Sequence, residues 1–212
     1  MVKYEAMKLN AKELRELEEK KVRGTLRKVK RHPIYFILEN IYDTYNVGGL
    51  FRLADAITVE KIYLCGSTEI PPNSKIKKAS IGTYKVVPWE YKKTAREAIQ
   101  DLKDGSTKIF SRLNSSLRSS NNKSQKNFVS PSSMFHVIAV EQHSQAIPYT
   151  KAQYGLPLAL VFGNETSGVT PETLKLVDQI VEIPMWGINK SLNVIVSAAI
   201  VSYWVMNKRG KM

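Results

Sequence analysis

The sequence predicts an α/β domain built on a mostly parallel sheet with helices on both faces. Short apolar, β-branched runs alternate with helical stretches from Pro33 onward. The runs are nearly continuous in apolar residues, as expected of strands buried on both sides. Strands and helices interleave along the chain, the pattern of crossover connections between parallel strands. In order, Tyr35–Leu38 is expected as a strand and Val47–Ile57 as a helix. Lys61–Cys65 and Tyr84–Pro88 follow as strands, then Thr94–Lys103 as a helix. His136–Val140 and Ala159–Phe162 are strands, Pro171–Val177 is a helix, Ile180–Ile183 a strand and Leu192–Asn207 the last helix.

Two segments stand outside this pattern. Residues 1–32 form a basic arm with eleven Lys/Arg against five acids. Asn10, with Glu13 three residues on, reads as a helix-starting capping box. This arm reads equally as a solvated helix lying on the domain or as a grip for phosphates. Residues 105–133 are rich in Ser, Asn and Lys, contain no acid, and sit where a short loop would suffice. They read as a disordered insertion. The domains are therefore an arm at 1–32 and one α/β domain at 33–212.

Composition excludes several classes. With 212 residues and 43% hydrophobic content the chain is globular and large enough to bury a core. The single Cys65 excludes a disulfide scaffold and a Cys-rich zinc site. His32, His136 and His143 lack metal-ligand spacing, so no metal is expected. Residues 1–21 have no apolar core of a secretory signal and hold too many acids for a transit peptide. The longest apolar run, Val194 to Met206, is too short to span a bilayer. A cytoplasmic protein without a membrane partner is expected. The net charge of +13 points to a polyanion.

Common site signatures fail. Gly163–Gly168 lacks the Lys of a P-loop, no G-x-G-x-x-G follows a strand, and no G-x-S-x-G elbow is present. What remains is polar residues gathered at three strand ends. These are Asn46-Val-Gly-Gly-Leu-Phe-Arg52-Leu-Ala54, Phe162-Gly163-Asn164-Glu165, and Ile183-Pro184-Met185-Trp-Gly187 running on to Ser191-Leu192-Asn193. In a parallel sheet all three lie at the carboxyl edge, where ligands bind. Each also admits a purely structural role. Arg52 can pair with Asp55 or Asp43, and Asn46, Asp43 or Thr44 can cap a helix. Glu165 can cap the turn after it, and Ser191 can cap the last helix.

Taken together and in order, the three segments resemble the SpoU/TrmH branch of the SPOUT RNA methyltransferases. The resemblance runs from about Tyr35 to Asn207, apart from the insertion. It implies transfer of a methyl group from S-adenosylmethionine to a ribose 2′-hydroxyl. It also implies a SPOUT-type fold with a C-terminal trefoil knot, and a homodimer. Arg52 matches the catalytic arginine, Asn46 the asparagine that supports it, Glu165 the acid of the second segment, and Ser191 and Asn193 the polar pair of the third. Gly163, Ile183 and Leu192 match positions whose backbone holds the cofactor, and Pro184, Met185 and Gly187 complete that loop. Gly163 and Gly187 are expected to let the backbone approach the adenosyl group. The resemblance gives Arg52 the role of base, although a guanidinium keeps its proton at neutral pH. The other reading is that it works with a substrate phosphate to orient the hydroxyl and stabilise the alkoxide. Trp186 suits dimer packing or stacking on a base.

The expected partner is RNA, with tRNA favoured, rRNA as the other candidate and DNA not expected. A non-catalytic RNA-binding or ribosome-assembly protein on the same scaffold is the rival. The arm and the insertion together carry +11 of the +13, leaving the core near neutral.

Overall fold

The computed structural model describes residues 9–16, 30–105 and 135–209. The predicted insertion at 105–133, apart from Gly105, and most of the arm lie outside the described residues. Seven parallel strands form one sheet: β1 (His32–Glu39), β2 (Val59–Cys65), β3 (Trp89–Lys92), β4 (His136–Val140), β5 (Ile147–Pro148), β6 (Leu158–Phe162) and β7 (Gln179–Glu182), in the order β3-β2-β1-β6-β4-β7-β5. The helices are α1 (Ala11–Arg15), α2 (Thr44–Ala56), α3 (Ser74–Ser80), α4 (95–105), α5 (Pro171–Leu174) and α6 (Val194–Arg209).

The central strands are apolar on both faces because each face meets a helical layer. Ile34, Phe36 and Leu38 of β1, with Leu158, Leu160 and Phe162 of β6, pack against Val47, Leu50, Phe51 and Ala54 of α2 and Ala198, Val201 and Val205 of α6. The alternate residues Ile37, Ala159 and Val161 pack against Ala98, Ile99 and Leu102 of α4 and against Leu174 of α5. Two layers of helix thus sandwich one sheet. No helix among the described residues is long and apolar enough to cross a membrane.

Most predicted strands are present: His136–Val140 has the predicted bounds, and the ends of the others move by at most three residues. The expected strand Tyr84–Pro88 is corrected. Its first half is a 3₁₀ turn, Thr83–Lys85, entered through Gly82 at φ 92°. The Val86 carbonyl is taken by the Arg31 guanidinium at 2.5 Å rather than by a strand. The actual edge strand, β3, is WEYK, held by Glu90 between Lys61 at 3.0 Å and Lys92 at 2.7 Å. Such a charged edge carries no apolar run to read. α3, SKIKKAS, carries no periodic signal in the sequence: only Ile76 and Ser80 are buried, too few for a stripe. The capping box at Asn10 and Glu13 is present, starting α1. The helix predicted to Val177 ends at Leu174. Asp43, not Asn46, caps α2. The last helix starts at Val194 rather than Leu192. Ser191 is not its cap, because the Asn193 Oδ1 accepts from the Ile195 N–H at 2.9 Å.

α2 is wedged between α3 and α6. A Cβ on Gly48 would lie 2.5 Å from the Ala79 Cβ and 3.0 Å from the Ser80 nitrogen, whereas one on Gly49 would meet the tip of Ile195 in α6. Alanine in a helix interior gains about 0.5–1 kcal/mol over glycine. Overpacking costs about 1–3 kcal/mol, and at Gly48 the obstacle is partly backbone, which cannot step aside. Gly48→Ala is therefore expected to lower stability by about 1–2 kcal/mol, read as a shifted denaturant midpoint with unchanged slope. Gly49→Ala, which meets only a rotatable side chain, should cost less.

Candidate functional site

From β1 the chain builds outward through β2 and β3 on one side. On the other side stand β6, β4, β7 and β5. Ligands of open α/β sheets bind beyond the carboxyl ends of strands where the order turns in this way. An open cleft lies there. It is lined by Glu141 and Gln142 after β4, by Phe162, Gly163, Asn164, Glu165 and Thr166 after β6, by Ile183 and Met185 after β7, and by Ser191, Leu192 and Val194 where α6 begins.

The wall of this cleft is the loop 163–170, which closes on itself. Asn164 and Gly168 exchange backbone hydrogen bonds of 3.1 and 2.9 Å, and the Asn164 Oδ1 accepts from the Thr166 and Ser167 amides. Three carboxylates then fix the loop to its surroundings. Glu39, at the end of β1 and only 5% exposed, accepts from the Thr170 N–H (2.9 Å), the Thr170 hydroxyl (3.0 Å) and the Thr173 hydroxyl (2.6 Å). Glu141 accepts from the Val169 N–H at 2.8 Å. Glu165, from within the loop, reaches the start of α2, accepting from the Tyr42 N–H (2.9 Å), the Asp43 N–H (3.1 Å) and the Asn46 amide (2.7 Å). Glu165 therefore supports the helix before it in sequence, not the turn after it.

Asn46 is buried, and its other amide atom accepts from the Asn193 Nδ2 at 3.0 Å. A continuous chain, Asn193–Asn46–Glu165, thus joins α6, α2 and the loop after β6. It brings together one polar residue from each of the three segments singled out in the sequence. Burial pushes the Glu165 carboxyl up, but hydrogen bonds from Asn46, Tyr42, its own N–H and Asp43 outweigh that and hold it below the ordinary glutamate value.

The other expected residues are placed as follows. Ser191, Gly163, Ile183, Met185 and Leu192 line the cleft, whereas Pro184 and Gly187 do not. Gly187 has open space around it, so no close approach requires a glycine there. At Gly163 a Cβ would strike the backbone of Gly168 and Val169. The absence of a side chain therefore serves loop closure. Arg52 is exposed on α2 and has no hydrogen bond or ion pair among the described residues. The expected pairs with Asp43 and Asp55 are not formed: Asp43 caps α2 and Asp55 faces Arg31. Arg52 shares a stripe with Tyr45 and Gly49 at helical spacing. That stripe borders α6, where Gly49 meets Ile195.

Glu39 and Glu141 were not anticipated. Their signal was an acid directly ending an otherwise apolar strand, as in ILE39 and AVE141.

Residues 33–203 match the SpoU rRNA Methylase family. The chain belongs to this family. It is 26% identical over 191 residues to the tRNA (guanosine(18)-2′-O)-methyltransferase of Aquifex aeolicus, covering 90% of this chain and 76% of that one. It superposes on the crystal structure of the A. aeolicus TrmH/SpoU tRNA modifying enzyme with a TM-score of 0.67 at 22% identity, covering 93% and 85% of the two chains. The SpoU methyltransferase AviRb from Streptomyces viridochromogenes, in complex with AdoMet, gives a TM-score of 0.66 at 20% identity over 86% of this chain and 60% of that one.

In this SpoU-family chain the carboxylate of Glu165 is a pH-dependent strut. Its folded value is depressed, so its contribution is complete above the ordinary glutamate value of about 4.3 and is lost as pH falls through the lower folded value. Glu165→Gln should cost about 1–2 kcal/mol at neutral pH, since an amide cannot accept at both ends. The gap between wild type and variant should close on acidification, as followed by denaturant melts across pH.

Proposed function

We propose that this SpoU-family chain transfers a methyl group from S-adenosylmethionine to a ribose 2′-hydroxyl of RNA, with tRNA as the substrate. The observation that carries this is the Asn193–Asn46–Glu165 chain at the mouth of the cleft, which joins the three family segments in one place. The A. aeolicus relative named for tRNA guanosine 18 supports the choice of RNA.

The cleft suits the cofactor. Phe162, Ile183, Met185, Leu192 and Val194 offer an apolar seat for a purine, and Glu141, Glu165 and Glu182 line it with no Lys or Arg among them. An acidic, half-apolar cleft fits a nucleoside that carries a sulfonium and an ammonium. When bound, S-adenosylmethionine supplies the electrophilic methyl group. Gly163, Ile183, Met185 and Leu192 hold it, with Pro184 and Gly187 shaping the loop between. Ser191 lies at the cleft wall, where its hydroxyl can orient the incoming ribose.

Arg52 is the proposed catalytic residue. It is a permanent cation with five donors in a fixed fork. Set on the exposed stripe of α2, it meets the RNA rather than the acidic cleft. There it orients the 2′-hydroxyl against a backbone phosphate oxygen of the RNA, which takes the proton as the 2′-oxygen gains the methyl group, and it stabilises the charge that develops on that 2′-oxygen. Asn46 and Glu165 fix the helix that presents it, and Asn193 ties that helix to α6.

The chain works as a homodimer in this reading. Val196 and Tyr203, 44% and 54% exposed, lie at i and i+7 on α6, and Trp186 and Ile188 project from the preceding loop. That much apolar surface favours a second copy. A trefoil knot through the segment carrying the cofactor loop and a cytoplasmic location belong to the same proposal.

Incubation with labelled cofactor and bulk tRNA tests the reaction. Wild type should label ribose 2′-oxygens, and Arg52→Ala should reduce the rate by about 10²-fold or more while leaving cofactor affinity by calorimetry unchanged. Equal labelling by both proteins would remove Arg52 from the chemistry, and no cofactor binding by the wild type would favour a non-catalytic RNA-binding protein. Tyr203→Asp should move the protein to half its mass in sedimentation.

A further inference from the structure

A second concave site lies on the other flank of α2, away from the acidic cleft. It is lined by Arg15 at the end of α1, Ser74, Lys77 and Lys78 of α3, Gly82, and Lys85 of the 3₁₀ turn. Four cations surround it, and none of the described residues lining it is an acid. The stretch from Ile70 to Trp89 contains Lys75, Lys77, Lys78 and Lys85 and no Asp or Glu. Among the described residues, Arg15, Lys77 and Lys78 have no ion-pair partner.

The site is constructed from distant parts of the chain. The Lys85 ammonium donates to the Arg15 carbonyl at 2.9 Å, capping the end of α1. Gly82, at φ 92°, leaves room for α1 to sit down: a Cβ there would lie 2.8 Å from the Leu14 carbonyl oxygen. A residue with a side chain would be strained at that φ and would push the arm away. α1 itself starts from the Asn10–Glu13 capping box, which occupies the Glu13 carboxylate within the arm. Lysines in the last turn of a helix are favoured by its dipole, by about 0.3–1 kcal/mol. That accounts for Lys77 and Lys78 singly, but not for Arg15 and Lys85 converging from two other elements. Like charges gathered in one concavity repel until an anion enters.

We infer that this groove is a phosphate-binding site that grips the RNA backbone apart from the methyl-transfer cleft. The inference rests on the proposed RNA substrate. It assigns to Arg15, Lys77 and Lys78 a sequence-independent hold on one or two phosphates, the kind that positions a nucleic acid without reading its bases. α2 connects the two sites: Gly48 packs on α3 beside the lysines and Asn46 holds Glu165 of the cleft wall, with Arg52 on the exposed stripe of the same helix.

The test is the salt dependence of binding to bulk tRNA by the full chain. Each phosphate contact contributes about 0.7–0.9 to the slope of log affinity against log salt. The double variant K77Q/K78Q should therefore lose about 1.5 from the slope and bind about tenfold more weakly near about 0.1 M salt. K77R/K78R should restore the slope. K151Q/K175Q, which removes two exposed lysines elsewhere, should leave it unchanged. Thermal melting and cofactor calorimetry should match wild type in all three. A K77Q/K78Q slope equal to wild type overturns the site, as does an equal loss in K151Q/K175Q. If the slopes separate as expected but the wild type transfers no methyl group, the site stands and the enzymatic reading falls.

Discussion

The loop 163–170 is held in shape by Glu39 and Glu141 from outside it and tied to α2 by its own Glu165. It must turn sharply at the carboxyl end of β6, and its amides Val169 and Thr170 face inward, away from any strand partner. An unmade buried hydrogen bond costs about 1–3 kcal/mol, so these donors need acceptors brought from outside the loop. Adjacent strands supply them. β1 and β4 flank β6 in the sheet; Glu39 ends β1, Glu141 directly follows β4, and both reach sideways to the loop. The reciprocal holds for the acids. Glu39 would be costly to bury alone, and the Thr170 and Thr173 donors satisfy it.

From that loop the constraint passes to α2. Glu165 meets the free amides at the start of the helix, where an anion is also favoured by the dipole, and Asn46 passes the connection on to Asn193. α2 is consequently fixed at one end by polar contacts and along its length by glycine-mediated packing on both sides. The exposed stripe that carries Arg52 is thereby held in place by contacts that Arg52 itself does not make. A positioned cation on a rigid helix suits chemistry that depends on orientation.

Charge is partitioned to match. The cleft is lined by acids and apolar side chains, whereas the lysines of α3 and the 3₁₀ turn meet the arm on the far flank. The acidic cleft and the basic groove thus present opposite charge on different surfaces of the same domain. The near-neutral core inferred from the sequence is an average over an acidic cleft and a basic groove.

The sequence by itself determined the fold class, the central strands and the three polar segments, because buried parallel strands are written as unbroken apolar runs and their ends as abrupt polar residues. The capping box of α1 was legible for the same local reason. Edge elements were not: β3 survives on a Lys–Glu ladder and α3 on one buried isoleucine, and neither leaves a periodic signal. Tertiary structure alone decided which polar groups meet. That Glu165 would meet the amides leading into a helix more than a hundred residues earlier in the chain, that Glu39 and Glu141 would hold the same loop, and that Arg15 would join Lys77, Lys78 and Lys85 depend on strand order and helix docking. Those are set by how two apolar layers close over one sheet, which no local run of residues encodes.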